Sequence, residues 1–178
     1  LKSGRVDPYN ACPVYEGSRF RLRLIAEDDA EALLPCYRTP TAAVTANAEG
    51  CSFGYGAQTV EAQQSVIRGW LDAYAAREFV RLSIVDKAVD KPVGTVELCG
   101  AGKDGRLRID LPAMYERADC LAELLETADA FFADFGCARL LVRSMDEAVL
   151  RAAGYTPCPQ ANGFWEKAHP APAENETP

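Results

Sequence analysis

A long helical pattern between two strand-like segments restricts the fold more than any other feature of the sequence. Apolar side chains recur every three or four residues from Leu121 to Phe135, and Gly136 stands where the helix should end. Residues 105–111 (GRLRIDL) alternate like a strand, and residues 137–144 (CARLLVRS) have the apolar centre of a short buried strand. This order predicts a parallel pair of strands joined by a crossover helix.

The rest of the chain supplies the other parts of one α/β domain. A strand at 18–26 leads into a short helix, which Pro35 and Pro40 are expected to interrupt. Residues 40–57 are expected to form a loop, and a second helix begins at Thr59. Short polar links predict an antiparallel meander of three strands. The fold class is therefore α/β, a mixed sheet with helices on both faces. The later predicted strands are 78–86, 91–99, 105–111, 137–144 and 163–167, with a helix at 145–153 before the last.

Charge and composition disfavour several kinds of partner. The formal net charge is −7 and Lys and Arg do not cluster in the sequence, which argues against nucleic acid. The acidic surface is either simply solvated or suited to a cationic partner such as an amine. No apolar run approaches the roughly 20 residues of a membrane helix, and the first residues do not resemble a secretion signal. A cytoplasmic protein is expected.

Cysteine and histidine usage points away from metal, disulfide and histidine chemistry. Seven widely spaced cysteines without a CxxC pair predict reduced thiols that serve as small core residues. His169 is the one histidine, and it lies in a tail, 168–178, whose composition predicts disorder. Residues 1–17 are expected to be an N-terminal extension and 18–167 the folded domain.

Four segments resemble the GNAT superfamily of acyl-CoA N-acyltransferases, especially the branch that acetylates the N-termini of ribosomal proteins. RLRLIAEDDAEAL (21–33) resembles the first strand and the acidic start of the first helix, and KPVGTVEL (91–98) resembles a glycine-containing central strand. Residues 112–136 can be laid on the pyrophosphate loop and the third helix, and VLRAAGYTP (149–157) resembles the fourth helix with its Gly-aromatic turn. The resemblance covers about 19–167. It implies acetyl-CoA as cofactor and an amine acceptor, and it is compatible with a homodimer.

The pyrophosphate-binding motif that this resemblance implies is degenerate. The family has Gln or Arg, two residues, Gly, one residue, and Gly or Ala, so that backbone N–H groups at a helix start approach the diphosphate of CoA. Here Tyr115, Ala118 and Cys120 occupy these positions, so the small volume is kept while the basic residue and the glycine are lost. The cofactor-binding positions implied by the resemblance are Leu111, Tyr115, Glu116, Arg117, Ala118, Asp119, Cys120 and Arg143.

Two acids stand in this turn. Glu116 and Asp119 would repel a diphosphate, since unit charges about 4 Å apart repel by about 1 kcal/mol in water and about 4 kcal/mol at an effective dielectric near 20. Alternatively, Asp119 caps the helix and the acids supply the negative charge that CoA supplies in the family. Arg117 is expected either to reach a phosphate or to pair with Glu116.

Two carboxylates are candidates for the general base that amine acetylation needs. Glu97 lies near the middle of an apolar strand and is expected to be partly buried; the alternative is a solvent-facing strand residue. Asp110 ends the next strand, near the place where the acyl group would sit; the alternative is an ordinary turn carboxylate. The family's general-acid tyrosine falls on Leu150, which leaves Tyr115 as a substitute candidate.

Two functions stay open at this point. One is an acetyl-CoA-dependent N-acetyltransferase acting on a small molecule or a peptide N-terminus. The other is a GNAT-fold binding or regulatory protein that does not bind CoA efficiently.

Overall fold

One mixed β-sheet runs through the computed structural model, which describes residues 6–49, 56–100 and 104–169. The strands are β1 (Tyr15–Glu16), β2 (Phe20–Leu24), β3 (Phe79–Asp86), β4 (Lys91–Cys99), β5 (Asp104–Asp110), β6 (Arg139–Arg143), β7 (Thr156–Pro157) and β8 (Phe164–Ala168). They lie in the order β1-β2-β3-β4-β5-β6-β8-β7. Each neighbouring pair is antiparallel except β5 and β6, which are parallel. The α-helices are α1 (Ala30–Arg38), α2 (Ala42–Ala48), α3 (Val60–Ala75), α4 (Ala118–Ala128), α5 (Ala130–Asp134) and α6 (Glu147–Ala152).

The mixed sheet with helices on both faces is confirmed, and so is the meander formed by β3, β4 and β5. The predicted long helix joins the parallel strands β5 and β6, but it is broken at Asp129 into α4 and α5. Gly136 follows α5 with a positive φ of 68°, the left-handed conformation that glycine adopts without strain. The predicted helix stop at this residue is therefore correct.

Pro35 does not interrupt the first helix, contrary to the sequence-based expectation. A 3-10 turn at Glu27–Asp29 precedes α1, which continues through Pro35 to Arg38. Residues on both sides of the proline, Leu33, Leu34, Cys36 and Tyr37, are buried. Their burial favours continuation of the helix more strongly than the loss of one backbone hydrogen bond opposes it.

The expectation of a loop at 40–57 is wrong for its first part, which forms α2. Thr41 begins this helix, because its hydroxyl accepts a hydrogen bond from Val44 N at 3.3 Å. The alanines that follow have the highest helix propensity. Residues 50–55 of the predicted loop lie outside the described residues.

The two faces of the sheet differ in chemistry. One face is apolar and packs against α4, α5 and α6; Leu22 and Val80 of the sheet share one core cluster with Leu124 of α4. The other face carries polar side chains in its centre, yet α1 and α3 cover them, so strand alternation here separates an apolar core from a buried polar layer. This buried polar layer includes Arg81, Ser83, Thr95, Glu97 and Asp110.

Both ends of the described chain contact this framework. β1 adds to the sheet beside β2, and the ring of Tyr9 lies 5.4 Å from that of Tyr74. His169 packs edge-on against Phe132, and its N–H donates to the carbonyl of Ala138 at 2.8 Å. The predicted tail from residue 170 onward lies outside the described residues.

The described residues offer neither a membrane-spanning helix nor a cluster of metal ligands. Within the described ranges, no helix combines the length and the apolarity of a membrane span. No group of three or more His, Cys, Asp or Glu side chains in that part of the chain could hold a metal ion. Cys36, Cys120, Cys137 and Cys158 are buried, as expected for small core residues.

Candidate functional site

The parallel strands β5 and β6 separate before β5 ends. They pair from Asp104 with Arg139 to Leu107 with Val142. β5 then continues to Asp110 along β4 alone, so residues 108–110 have no partner on β6. The sheet therefore opens between these strands, next to the start of α4.

A cavity of about 230 Å³ lies at this opening. Ile109 and Leu111 line it from β5, and Leu121 lines it from α4. The segment after β6 contributes Ser144 and Met145 to its wall. The lining is mostly apolar. Below, this space is called the strand-gap cavity.

Four of the eight predicted cofactor-binding residues line the strand-gap cavity: Leu111, Glu116, Ala118 and Arg143. The other four are not part of its wall. Tyr115 donates its hydroxyl to Asp86 at 2.8 Å, and burial raises the pKa of Tyr115, with the hydrogen bond to Asp86 adding to the effect. Cys120 is buried, with its Sγ 3.1 Å from Arg19 Nη1. The two remaining residues, Arg117 and Asp119, lie at the exposed start of α4.

Asp119 does not cap α4, which corrects one of the sequence-based alternatives. The N-cap is Arg117, whose backbone is extended, and Asp119 is the second residue of the helix. The carboxylate accepts hydrogen bonds at 3.0 Å from Arg117 Nε and at 3.0 Å from Arg19 Nη1. The hydrogen bond from Arg117 is the main reason that the pKa of Asp119 is lowered. Arg117 therefore pairs with Asp119, while Glu116 accepts a hydrogen bond from Thr41 at 2.5 Å.

Asp110 is fully buried and is not an ordinary turn carboxylate. It accepts hydrogen bonds from Asn47 Nδ2 at 2.9 Å and from the Tyr37 hydroxyl at 3.1 Å. Arg81 Nη1 contacts it at 3.2 Å. Burial raises the pKa of Asp110, and the charge of Arg81 opposes this shift without cancelling it.

Glu97 is also buried, with 3% of its side chain exposed, so the solvent-facing alternative is wrong. Arg81 and Arg108 both pair with it, the latter at 3.0 Å. The guanidinium carbon of Arg81 lies 4.0 Å from the ring centroid of Trp70. Two arginines and two carboxylates, Arg81, Arg108, Glu97 and Asp110, thus form a charge-balanced buried network.

Asn47 connects this buried network to the strand-gap cavity. It lines the cavity, and its Nδ2 donates to Asp110 and to the carbonyl of Ile109 at 3.1 Å. The latter bond satisfies backbone on the stretch of β5 that β6 has left. The sequence interpretation missed Asn47 because it assigned this segment to a loop. Thr41 followed by an alanine-rich run was the signal for the helix that carries it.

Gly94 allows β4 to approach the end of β5. A side-chain methyl group at this position would overlap the carbonyl oxygen of Asp110. The pairing of β3 with β4 is also irregular here, because Ile84 pairs with Gly94 while Val85 pairs with Pro92. Gly94 therefore helps to fix the position of Asp110.

Comparison with solved structures identifies the fold. A ribosomal-protein-S5-alanine acetyltransferase from Vibrio fischeri matches 93% of this chain and 100% of its own, with a TM-score of 0.64 and 16% identity. A GNAT-family acetyltransferase from Bacillus anthracis matches 88% of this chain and 99% of its own, with a TM-score of 0.63 and 12% identity. This chain has the GNAT fold.

A third structure with the GNAT fold was solved with a ligand. RimL, a ribosomal L7/L12 alpha-N-protein acetyltransferase in complex with coenzyme A, matches 88% of this chain and 98% of its own, with a TM-score of 0.64 and 11% identity. No protein-family model and no curated protein matches the chain in sequence. At these identities the likeness is one of fold, so the activity has to be argued from the site itself.

Proposed function

We propose that this protein transfers an acetyl group from acetyl-CoA to an amine, on a small molecule or at a peptide N-terminus. The observation that carries the proposal is the strand-gap cavity, which lies beside the start of α4. A helix start attracts anions through its free N–H groups and its partial positive charge. The site thus joins an apolar cavity to an anion-binding position.

The residues present fit acetyl-CoA in two parts. A cavity of about 230 Å³ is smaller than the sites that enclose whole drug-sized ligands, so it would hold the thioester end while the nucleotide stays outside. At the start of α4, Ala118 is small enough to let a phosphate approach the backbone. Arg19 and Arg117, which now share Asp119, would hold the diphosphate.

The thioester would supply an activated acetyl group. The chain has to accept a proton from the ammonium of the acceptor, so that the free amine can attack the thioester and CoA can leave as its thiolate. Asp110 is the better placed of the two candidate bases, since Asn47 connects it to the strand-gap cavity. Its pKa is raised by burial, which favours proton uptake near neutral pH. Glu97 contacts two arginines instead, and we assign it the role of holding Arg81 in place.

The test uses calorimetry to compare acetyl-CoA binding to two variants, in each of which one alanine is replaced by phenylalanine. Ala118→Phe would fill the cavity side of the α4 start, and Ala113→Phe makes the same change on an exposed residue that does not line the cavity. We expect Ala118→Phe to weaken binding at least about tenfold, equivalent to about 1.4 kcal/mol, and Ala113→Phe to leave it unchanged. Equal binding to both variants would place the cofactor elsewhere.

The alternative is a GNAT-fold protein that binds CoA poorly and regulates or recognises another molecule. Two observations favour it: both candidate bases are already paired with arginines, and an acid stands in the first turn of α4. Release of CoA thiol from acetyl-CoA with an amine acceptor distinguishes the two. Absence of acetyl-CoA binding to the wild-type protein would favour the alternative.

A further inference from the structure

The sheet carries a group of arginines on β5 and β6, on the face opposite α4. Leu107, Val142 and Trp165 point into the core that α4 shares, so their neighbours in sequence point to the other face. There, Arg106, Arg108, Arg143 and Phe164 line a shallow groove together with Asn47 and Glu49. This space is called the arginine groove. It has three arginines and one carboxylate in its wall, within a chain whose net charge is −7.

Two of these arginines are available to an incoming anion. Arg106 is exposed, and within the described ranges it has no carboxylate partner; its guanidinium carbon lies 5.1 Å from the Phe164 ring centroid. Arg143 lies 5.0 Å from the same centroid and pairs with Glu49 at 3.4 Å. Glu49 is 70% exposed, so this surface pair is weak and exchangeable. Arg108, by contrast, pairs with the buried Glu97.

The arginine groove meets the strand-gap cavity where β5 and β6 separate. Asn47 and Arg143 belong to the walls of both. An amine placed at this opening would face the cavity, and the remainder of the acceptor molecule would lie over the groove. The arginines are therefore in a position to recognise the part of the acceptor that follows its amine.

We propose that the acceptor is a peptide N-terminus with acidic residues directly after the first position. This inference rests on the proposed acetyl transfer and specifies its substrate. Arg106 and Arg143 would each bind a carboxylate, with guanidinium forks suited to bidentate hydrogen bonds, and Phe164 would support both guanidinium groups. A carboxylate that displaces Glu49 from Arg143 would keep that charge paired.

The width of the groove favours a peptide over a free amino acid. Neighbouring strands lie about 4.8 Å apart, so the three strands β5, β6 and β8 span about 10 Å. An extended chain advances about 3.3 Å per residue and would cross this width with about three residues. A single amino acid would cover about a third of this width.

Acetylation assays with matched peptides test the proposal. One peptide has Asp and Glu at its second and third positions, and the other has Asn and Gln there. We expect kcat/KM to be at least about tenfold higher for the acidic peptide, with the preference declining as salt is raised. Equal use of the two peptides would contradict the proposal, and so would free aspartate used as well as the acidic peptide.

Three variants test whether the arginine groove causes the preference for the acidic peptide. Arg106→Gln should raise KM for the acidic peptide about tenfold and leave the Kd of acetyl-CoA unchanged. Glu49→Gln should lower this KM, because it removes the carboxylate that competes for Arg143. Arg68→Gln, an exposed arginine paired with Glu27, is the matched control and should change neither value. An unchanged KM in Arg106→Gln would overturn the proposed role of the groove.

A direct measurement of peptide binding tests the arginine groove independently of the proposed acetyl transfer. The acidic peptide, labelled at its C-terminus, can be titrated by fluorescence anisotropy without acetyl-CoA. Weaker binding to Arg106→Gln than to wild type would support the groove even if no acetyl transfer were detected. Equal binding to both proteins would reject the groove, whatever the outcome for acetyl-CoA.

Discussion

Arg81 Nη1 lies 3.2 Å from the carboxylate of Asp110, and both side chains are almost completely buried. The same guanidinium pairs with Glu97, so one buried cation serves two buried carboxylates. Such an arrangement is tolerated only while each charge keeps its partners, because an unpaired charge in the interior is strongly unfavourable. The network therefore fixes the position of the candidate base and couples its geometry to the stability of the domain.

Arg81→Met should destabilise the protein by about 3–5 kcal/mol, since it leaves two carboxylates without their shared cation. Urea unfolding measures this loss. The double variant Arg81→Met, Asp110→Asn should recover most of it, because Glu97 keeps its pair with Arg108 and the uncompensated charge on Asp110 is removed. A loss below about 1 kcal/mol in the single variant would show that the carboxylates do not depend on Arg81.

Asp110→Asn should lower kcat by about 10²–10⁴ if Asp110 accepts the proton of the ammonium. The amide keeps the shape of the carboxylate, so the Kd of acetyl-CoA should change less than twofold by calorimetry. Glu97→Gln is the comparison, and it should lower kcat less because Glu97 is assigned a positioning role. Full activity of Asp110→Asn would move the base to another residue.

The sequence predicted the framework of this site better than its chemistry. Strand alternation and helical spacing located the meander and the parallel pair, because burial of apolar side chains determines both patterns. Glu97 and Asp110 were selected as buried or near-site carboxylates, and the structure places both in one network. Their partner Arg81 was not predicted, since it lies 16 residues from Glu97 and 29 from Asp110 and the pairing depends on strand register.

In the turn before α4, the roles of individual side chains could not be predicted from the sequence. The motif predicted its position, but the roles of its acids depend on side chains from elsewhere in the fold. Asp119 is paired by Arg19, which is 100 residues away in sequence, and Glu116 by Thr41, which is 75 residues away. Pairing over such separations leaves no local signal. The predicted capping role of Asp119 is wrong because Arg117 is the N-cap residue, and Asp119 pairs with Arg117 and Arg19 instead.

Asp119→Asn should strengthen acetyl-CoA binding about two- to fivefold, because it removes a negative charge and releases Arg117 and Arg19 for phosphate. The effect should shrink as salt is raised. Asp72→Asn, an exposed acid on α3, is the control and should have no effect. Unchanged or weaker binding in Asp119→Asn would mean that its charge does not oppose the cofactor.

Asp29 should make stability depend on pH in the acidic range. Burial alone would raise its pKa, but hydrogen bonds from Arg23, Ser83 and the N–H of Ala26 outweigh burial and lower the pKa. Because the folded-state pKa is below the unfolded value of about 3.9, this stabilisation is fully present above that pH and is lost as pH falls through the folded-state pKa.

This pH dependence can be checked by measuring the free energy of unfolding of wild type and Asp29→Asn at several pH values. The variant should be about 2 kcal/mol less stable than wild type at pH 7, and the difference should decrease as pH falls below about 4. Asp28→Asn, which removes the same charge at an exposed neighbouring acid, is the comparison. A difference for Asp29→Asn that stays constant with pH would contradict the lowered pKa.

Gly94→Ala should disturb the candidate site through the backbone. The added methyl group would meet the carbonyl oxygen of Asp110, so β4 and β5 have to move apart at the point where Asp110 is held. Overpacking of this kind costs about 1–3 kcal/mol, and we expect acetyl transfer to decrease in parallel.

Gly136→Ala is the comparison: nothing lies within 4 Å of its added methyl group, and its cost is limited to the strain of a positive φ. Gly136→Ala should lose stability without loss of acetyl transfer, whereas Gly94→Ala should lose both. Full activity of Gly94→Ala would show that the close approach of the two strands does not position Asp110.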